Sequence, residues 1–146
     1  MSIIYVKGNL LDAPQQLIAH QVNCQGVMGS GVAKALRDKW PSLFMGYKIF
    51  IDRVPHGELL GKAYVHQTFD NKFILNIFSQ DKYLPRTVCH TNYEAMKEAF
   101  LDIKQSLTGD IAMPKIGCGL GGGDWDIVSN LIESTFDDRN VYVYEL

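Results

Sequence analysis

Two glycine-rich stretches, each trailing an apolar run and leading into a helical pattern, constrain this chain more than any other feature. The first is Asn23-Cys-Gln-Gly-Val-Met-Gly-Ser-Gly31. It follows Leu17-Ile-Ala-His-Gln-Val22, which reads as a buried strand, and precedes Val32-Ala-Lys-Ala-Leu-Arg-Asp-Lys-Trp40, which reads as a helix. The second is Gly117-Cys-Gly-Leu-Gly-Gly-Gly123, set between Ile111-Ala-Met-Pro-Lys-Ile116 and a helical pattern that opens at Asp124. Glycine permits positive φ and lets the backbone approach a ligand closely. The amide groups at a helix N-terminus favour anions. In open α/β sheets, ligands bind beyond the carboxyl ends of the strands, so two such loops side by side predict a cleft suited to a diphosphate.

The rest of the chain supplies a layered α/β context. Ile3-Ile-Tyr-Val6 is a β-branched and aromatic strand, broken by Lys7-Gly-Asn9. Ser30 is the expected N-cap of a helix running to Lys39, and Pro41 ends that helix and opens the next. Leu43, Tyr47, Phe50 and Ile51 then mark one helical face. Lys62–Phe69 and Lys72–Phe78 form a hairpin about Asp70-Asn71, and a polar loop runs from Ser79 to Cys89. Thr91-Asn92 caps a helix with Tyr93, Met96, Ala99, Phe100 and Ile103 on one side, closed by Gly109. A strand over Ile111–Ile116, a last helix with Ile127, Val128, Leu131, Ile132 and Phe136 on one face, and a strand over Val141–Tyr144 complete the pattern. Strands alternating with helices predict a layered α/β domain, and the hairpin makes its sheet mixed.

Composition removes several classes of function. A chain of 146 residues, 47% apolar and 21% charged, is one globular domain over 1–146 with no internal repeat. Its formal charge of −2 and scattered basic residues leave no footprint for general nucleic-acid binding. No apolar run approaches the ~18 residues of a membrane span, and no basic-then-apolar leader opens the sequence. Cys24, Cys89 and Cys118 are odd in number and widely spaced. This points to a reducing, cytoplasmic setting and to no metal site. A monomer without a cofactor is the expectation.

Two phosphate-binding motifs fail on context. Gly117-Cys-Gly119-Leu-Gly-Gly122 spells G-x-G-x-x-G, yet only 24 residues follow, too few for a further βαβ unit and its acidic residue. Gly26 to Gly31 has the gap of a P-loop, but Val32 stands where Lys is needed. Asn23, at the end of the second strand, is suited either to a sugar hydroxyl or to capping the turn. His20 shares a strand face with Val22 and reads as a hydrogen-bonded core residue or a proton carrier; strict alternation puts Asn23 on the opposite face unless the strand bends. Asp124 is either a helix N-cap or a general base at the mouth of the loop. Cys24 and Cys118 lie one in each loop without a paired base, which favours small-residue packing. Asn9, at the end of the first strand, can both donate to and accept from a base edge, and Tyr144 can pack on one.

Three separated segments carry a family resemblance. They are Tyr5-Val-Lys-Gly-Asn9-Leu, Ala19-His-Gln-Val-Asn23-Cys-Gln-Gly-Val-Met-Gly-Ser-Gly31-Val-Ala and Met113-Pro-Lys-Ile-Gly-Cys-Gly-Leu-Gly121. In this order and spacing the chain resembles a macro domain along essentially its whole length. The resemblance implies a three-layer α/β/α sandwich with a six-stranded mixed sheet, and ADP-ribose or a derivative as ligand. It implies that Asn9 and Leu10 hold the adenine with Tyr144 nearby. Asn23, Gly29, Ser30, Gly31 and Val32 would wrap the distal ribose and part of the diphosphate, and Ile116, Gly117, Cys118, Gly119, Leu120 and Gly121 would hold the diphosphate. Asn9 replaces the usual aspartate of the family, and its carbonyl oxygen still accepts. The branch it resembles contains ADP-ribose 1''-phosphate phosphatases and ADP-ribose-removing hydrolases. The latter carry a lysine after the central strand, where this chain reads Asn76-Ile-Phe-Ser-Gln80 with Lys82 two residues on, and one also has an aspartate that falls on Gly121. His20 matches a histidine of yeast-type phosphatases, and Asp124-Trp125 resembles a loop of toxin-antidote hydrolases. The leading expectation is removal of phosphate from ADP-ribose 1''-phosphate, with His20, Asn23 and Asp124 as its catalytic set. The alternatives are release of ADP-ribose from modified protein or nucleic acid, using Lys82, and non-catalytic reading of ADP-ribose.

Overall fold

Strand β2 (Leu17–Asn23) runs through the middle of a six-stranded sheet in the computed structural model, which describes residues 3–146. With β1 (Ile3–Lys7), β3 (Ala63–Gln67), β4 (Phe73–Gln80), β5 (Ile111–Met113) and β6 (Val141–Glu145), the order is β1-β6-β5-β2-β4-β3. Every neighbouring pair is parallel except β3 and β4, which form the antiparallel hairpin that the sequence predicts. Asn71, at φ 65°, turns that hairpin; asparagine tolerates this left-handed region better than most residues.

Helices cover both faces, which explains why β2 and β4 are buried along nearly their whole length. On one side α1 (Gly31–Lys39) and α2 (Ser42–Arg53) lay Leu36, Leu43 and Tyr47 onto Ile18, Val22, Ile74 and Phe78. On the other, α3 (Tyr93–Ser106) and α4 (Trp125–Thr135) lay Met96, Phe100, Ile103, Val128 and Ile132 onto Leu17, Ala19, Leu75 and Ile77. Each side chain of this size contributes roughly 2 kcal/mol by leaving water. The alternation along β2 and β4 sorts neighbouring residues between the two cores. The result is the three-layer α/β/α sandwich on a mixed sheet.

Helix starts follow local chemistry. Asn92 accepts from the Ala95 amide at 3.0 Å and Asp124 from the Asp126 amide at 2.9 Å, each capping its helix. Ser30 precedes α1 as expected, but its hydroxyl makes no cap bond. Two boundaries differ from the sequence reading. The strand expected to reach Ile116 stops at Met113 because Pro114 has no N–H for the ladder. β4 continues to Gln80, beyond the expected end at Phe78, and a bridge from Gln80 to Thr91 anchors the segment that follows.

Candidate functional site

A cleft of about 510 Å³ opens at the carboxyl ends of β5, β2 and β4. One wall is the first glycine-rich loop with the start of α1, and the other is the loop from Pro114 to Gly121. His20, Gln21 and Asn23 of β2 lie between them, and Gln80, Tyr83 and Arg86 close the end beside β4. Lys115 and Arg86 are the cations of this lining, and it contains no aspartate or glutamate. The cleft is therefore electropositive within a chain of net charge −2.

The first loop is built on Asn23. The register of β2 against β4 shifts between Val22 and Asn23, so the strand bends at its end. Asn23 Oδ1 then accepts from Tyr47 of α2 at 3.0 Å and from the Gln25 amide at 2.9 Å, and its Nδ2 donates to the Val27 carbonyl at 2.9 Å. An amide nitrogen has two hydrogens, which leaves one for a ligand hydroxyl. Tyr47 also donates to the Asn23 carbonyl at 2.7 Å from a fully buried position. Burial raises its phenol pKa, against the smaller opposing pull of the Gly26 and Val27 backbone, so the hydroxyl stays a donor. Gly26 and Gly31 take positive φ, at 79° and 62°, which completes the loop.

The second loop is tied to the central strands through a buried polar network. Gln21 Nε2 donates to Gln80 Oε1 at 3.0 Å and to Thr91 Oγ1 at 3.2 Å, and Gln21 Oε1 accepts from Ser79 at 2.6 Å. Thr91 passes the chain on by donating to the Gly117 carbonyl at 2.7 Å. Gly121 sits inside this network: a Cβ there would lie 2.5 Å from Gln21 Nε2 and 2.7 Å from Thr91 Oγ1. An aspartate at 121 has no room while Gln21 and Thr91 hold these places. Gly123 N in turn donates to the Gly117 carbonyl at 2.8 Å, folding the loop back on itself.

His20 lies on the floor of the cleft, 1% exposed. Its Nε2 is 2.6 Å from Asn76 Oδ1. Asn76 uses its Nδ2 on the carbonyls of Tyr64 and Ile74, at 2.9 and 3.2 Å, which turns its oxygen toward the ring. Nε2 therefore carries the proton, by assignment from this network, and Nδ1 carries the lone pair. Nδ1 is buried without a hydrogen-bond partner. Burial lowers the pKa to about 4, only partly offset by the Asn76 bond, so the ring is neutral at pH 7.

The structure brings His20, Asn23, Gly29, Ser30, Gly31, Val32 and the Ile116–Gly121 loop together around this one space. Asn9, Leu10 and Tyr144 form a separate group beside it, outside the lining. Leu10 and Tyr144 share a packed cluster, and the ring of Tyr144 approaches Gly8. Asn9 Oδ1 accepts from the Leu11 amide at 3.0 Å, so the oxygen expected to face a base is engaged as a cap. Asp124 lies outside both groups; its Oδ1 is engaged as the cap of α4, and its amide donates to Tyr93. Lys82 is exposed and outside the lining, while Gln80 is buried within it. Burial pushes the Cys24 thiol up to about 12 and the Cys118 thiol up to about 11, which suits packing and not nucleophilic attack. Tyr83 and Arg86 carry no local motif; they sit in a polar loop whose place beside β2 depends on the strand order. Among the described residues no cluster of three or more His, Cys, Asp or Glu side chains is placed to hold a metal ion, and no helix is long and apolar enough to cross a membrane.

This architecture and its paired glycine loops define an α/β sandwich with a ligand cleft at its strand ends, and comparison with known proteins gives its family. The Macro domain family model matches residues 19–132, and the chain belongs to that family. It is 30% identical over 150 residues to human "ADP-ribose glycohydrolase OARD1", covering 99% of this chain and 91% of that protein. It is 28% identical to an "ADP-ribose 1''-phosphate phosphatase" of Scheffersomyces stipitis, covering 97% and 99%. A "DNA ADP-ribosyl glycohydrolase" of Mycobacterium tuberculosis is 30% identical over 139 residues, covering 92% of this chain and 38% of that protein. The chain thus spans about two fifths of the length of the DNA ADP-ribosyl glycohydrolases it matches. The solved macrodomain of Mycobacterium tuberculosis DarG superposes with a TM-score of 0.82 at 28% identity, covering 99% of this chain and 97% of that one.

Proposed function

We propose that this chain binds ADP-ribose in the cleft and hydrolyses the phosphomonoester of ADP-ribose 1''-phosphate. Family membership and the names of its relatives support the ligand. The cleft supports it as well: its volume lies within the range of ligand sites, and its lining is cationic. In this reading the loop from Ile116 to Gly121 and the first turn of α1 hold the diphosphate. Asn23 offers its remaining amide hydrogen to the distal ribose. Asn9, Leu10 and Tyr144 receive the adenine outside the cleft proper.

The observation that carries the reaction is His20, a neutral imidazole on the cleft floor with the proton on Nε2 and an unpartnered lone pair on Nδ1. As the bound ligand opens the floor to Nδ1, which is closed to solvent in the free protein, water attacks phosphorus and gives its proton to that nitrogen. The bond between phosphorus and the 1'' oxygen breaks, and that oxygen takes the proton back from Nδ1 to become the ribose hydroxyl. The products are ADP-ribose and inorganic phosphate. Loop amides and the α1 N-terminus stabilise negative charge growing on the phosphoryl oxygens. The reaction assigns Asp124 no step, because capping accounts for its carboxylate. Removal of ADP-ribose from a modified macromolecule fits the names of the glycohydrolase relatives equally, but Lys82 is not placed to carry it, since Gln80, which does not titrate, lines the cleft and Lys82 does not.

Phosphorus NMR of the protein with ADP-ribose 1''-phosphate tests this reading. The expected result is growth of an inorganic phosphate resonance that His20→Ala abolishes. Shifted diphosphate resonances without phosphate release would overturn the reaction and leave a reader of ADP-ribose; unshifted resonances would overturn the ligand.

A further inference from the structure

We infer that Arg86 sets the specificity of the cleft for a phosphate carried on the distal ribose, so that ADP-ribose 1''-phosphate binds in preference to ADP-ribose. The inference rests on the proposed ligand and goes beyond it by naming the residue that separates the two compounds.

Arg86 lines the end of the cleft beside β4, where Asn23, Ser30 and Gln80 also lie. Among the described residues no carboxylate stands within ion-pair distance of its guanidinium. Its contact across the cleft is Nη2 donating to Ser30 Oγ at 3.3 Å, a long bond to a neutral oxygen. The other lining cation, Lys115, is differently placed: it is 3.5 Å from Glu145 and near the Trp125 ring, on the β6 side. The cationic lining thus has a compensated end and an uncompensated one, and Arg86 marks the latter.

Ser30 makes the same spot receptive to an anion. It sits at the start of the nine-residue helix α1, yet its hydroxyl is not used as a cap. The first-turn amides of α1 are therefore left without a side-chain acceptor, beside a hydroxyl that already meets a guanidinium. A phosphate oxygen placed between Ser30 and Arg86 replaces the long neutral contact with a charge-assisted one, and the planar guanidinium can engage two oxygens at once. The ribose hydroxyl of ADP-ribose offers no such charge. Leu120 also reaches across to Gly31, where a Cβ would lie 3.3 Å from its Cδ1, so the two loops already meet over this end.

The test is displacement of a fluorescent ADP-ribose by ADP-ribose and by ADP-ribose 1''-phosphate, read before turnover, on the wild type, Arg86→Gln and Arg86→Lys. We expect the wild type to prefer the 1''-phosphate by roughly tenfold, the size of one exposed charge-assisted contact. Arg86→Gln removes that preference by weakening the 1''-phosphate roughly tenfold more than it weakens ADP-ribose, and Arg86→Lys keeps part of it. The preference shrinks as salt is raised, because the pair is partly exposed. An equal loss for both ligands in Arg86→Gln would overturn the inference, since Arg86 would then only brace the loop. A wild type that does not discriminate would overturn it too, with ADP-ribose binding left standing. Failure of either ligand to displace the probe would overturn the proposed ligand and this inference together.

Discussion

Gly121→Ala places one methyl group inside the polar network that ties the second glycine loop to the sheet. The new Cβ would stand 2.5 Å from Gln21 Nε2, 2.7 Å from Thr91 Oγ1 and 3.0 Å from the Gly117 carbonyl. Gln21 cannot move aside freely, because it bonds Gln80, Thr91 and Ser79 at once. Thr91 is held likewise by the Gly117 carbonyl. Two side-chain hydrogen bonds are lost, worth about 1 kcal/mol each, and one buried donor is left unpaired at a further 1–3 kcal/mol. The expected destabilisation is about 3–5 kcal/mol, a fall of roughly 6–20 °C in Tm for a domain of this size. Thermal unfolding measures it, and titration with ADP-ribose should show weaker binding because the loop wall shifts. A double-mutant cycle sharpens the reasoning: in a Gln21→Ala background the cost of Gly121→Ala should drop by at least 1 kcal/mol, since the nearest atom is gone. A Tm within 2 °C of wild type, or a cost unaltered by Gln21→Ala, would refute the account.

Two further outcomes follow from the same geometry. Tyr47→Phe removes the donor that holds both oxygens of Asn23, so it should cost about 1–2 kcal/mol of stability and weaken ADP-ribose several-fold; calorimetric titration with an unchanged Kd would count against Asn23 as the anchor of the first loop. His20 has its pKa lowered by burial to about 4, below its ordinary 6.5. The unfolded chain therefore binds more protons between pH 6.5 and 4, and stability falls as the pH falls through that window, while above it His20 adds no pH dependence. His20→Gln should flatten this acid limb in urea midpoints measured from pH 7 to 4, and limbs of equal slope would contradict the assignment.

Much of this fold can be read from local residues because the interactions concerned are local. Asn92 and Asp124 were recognisable as caps since a cap bond spans two or three residues. Pro41 between two helical patterns and Asn71 in the hairpin act through their own backbone preferences. Boundaries that depend on neighbours were less accessible. β5 is cut short where Pro114 meets the ladder, and β4 is prolonged because Gln80 pairs with Asn23 of β2, distant in sequence. The alternation rule alone sets Asn23 opposite His20; the shift in register against β4 bends the strand and turns Asn23 toward Tyr47.

The sequence by itself determined that two glycine loops follow strands and open helices, and that the chain resembles its family. Those are properties of composition and of neighbours along the chain. Only the tertiary structure decided which candidates share a space. It gathered His20, Asn23 and both loops around one cleft, left Asp124 as a cap, and grouped Asn9, Leu10 and Tyr144 beside it. It also brought Gln80, Tyr83 and Arg86 to the wall, from a segment with no motif. The physical reason is the parallel sheet: setting β4 beside β2 brings the ends of segments more than fifty residues apart to a single edge, and no local preference encodes that approach.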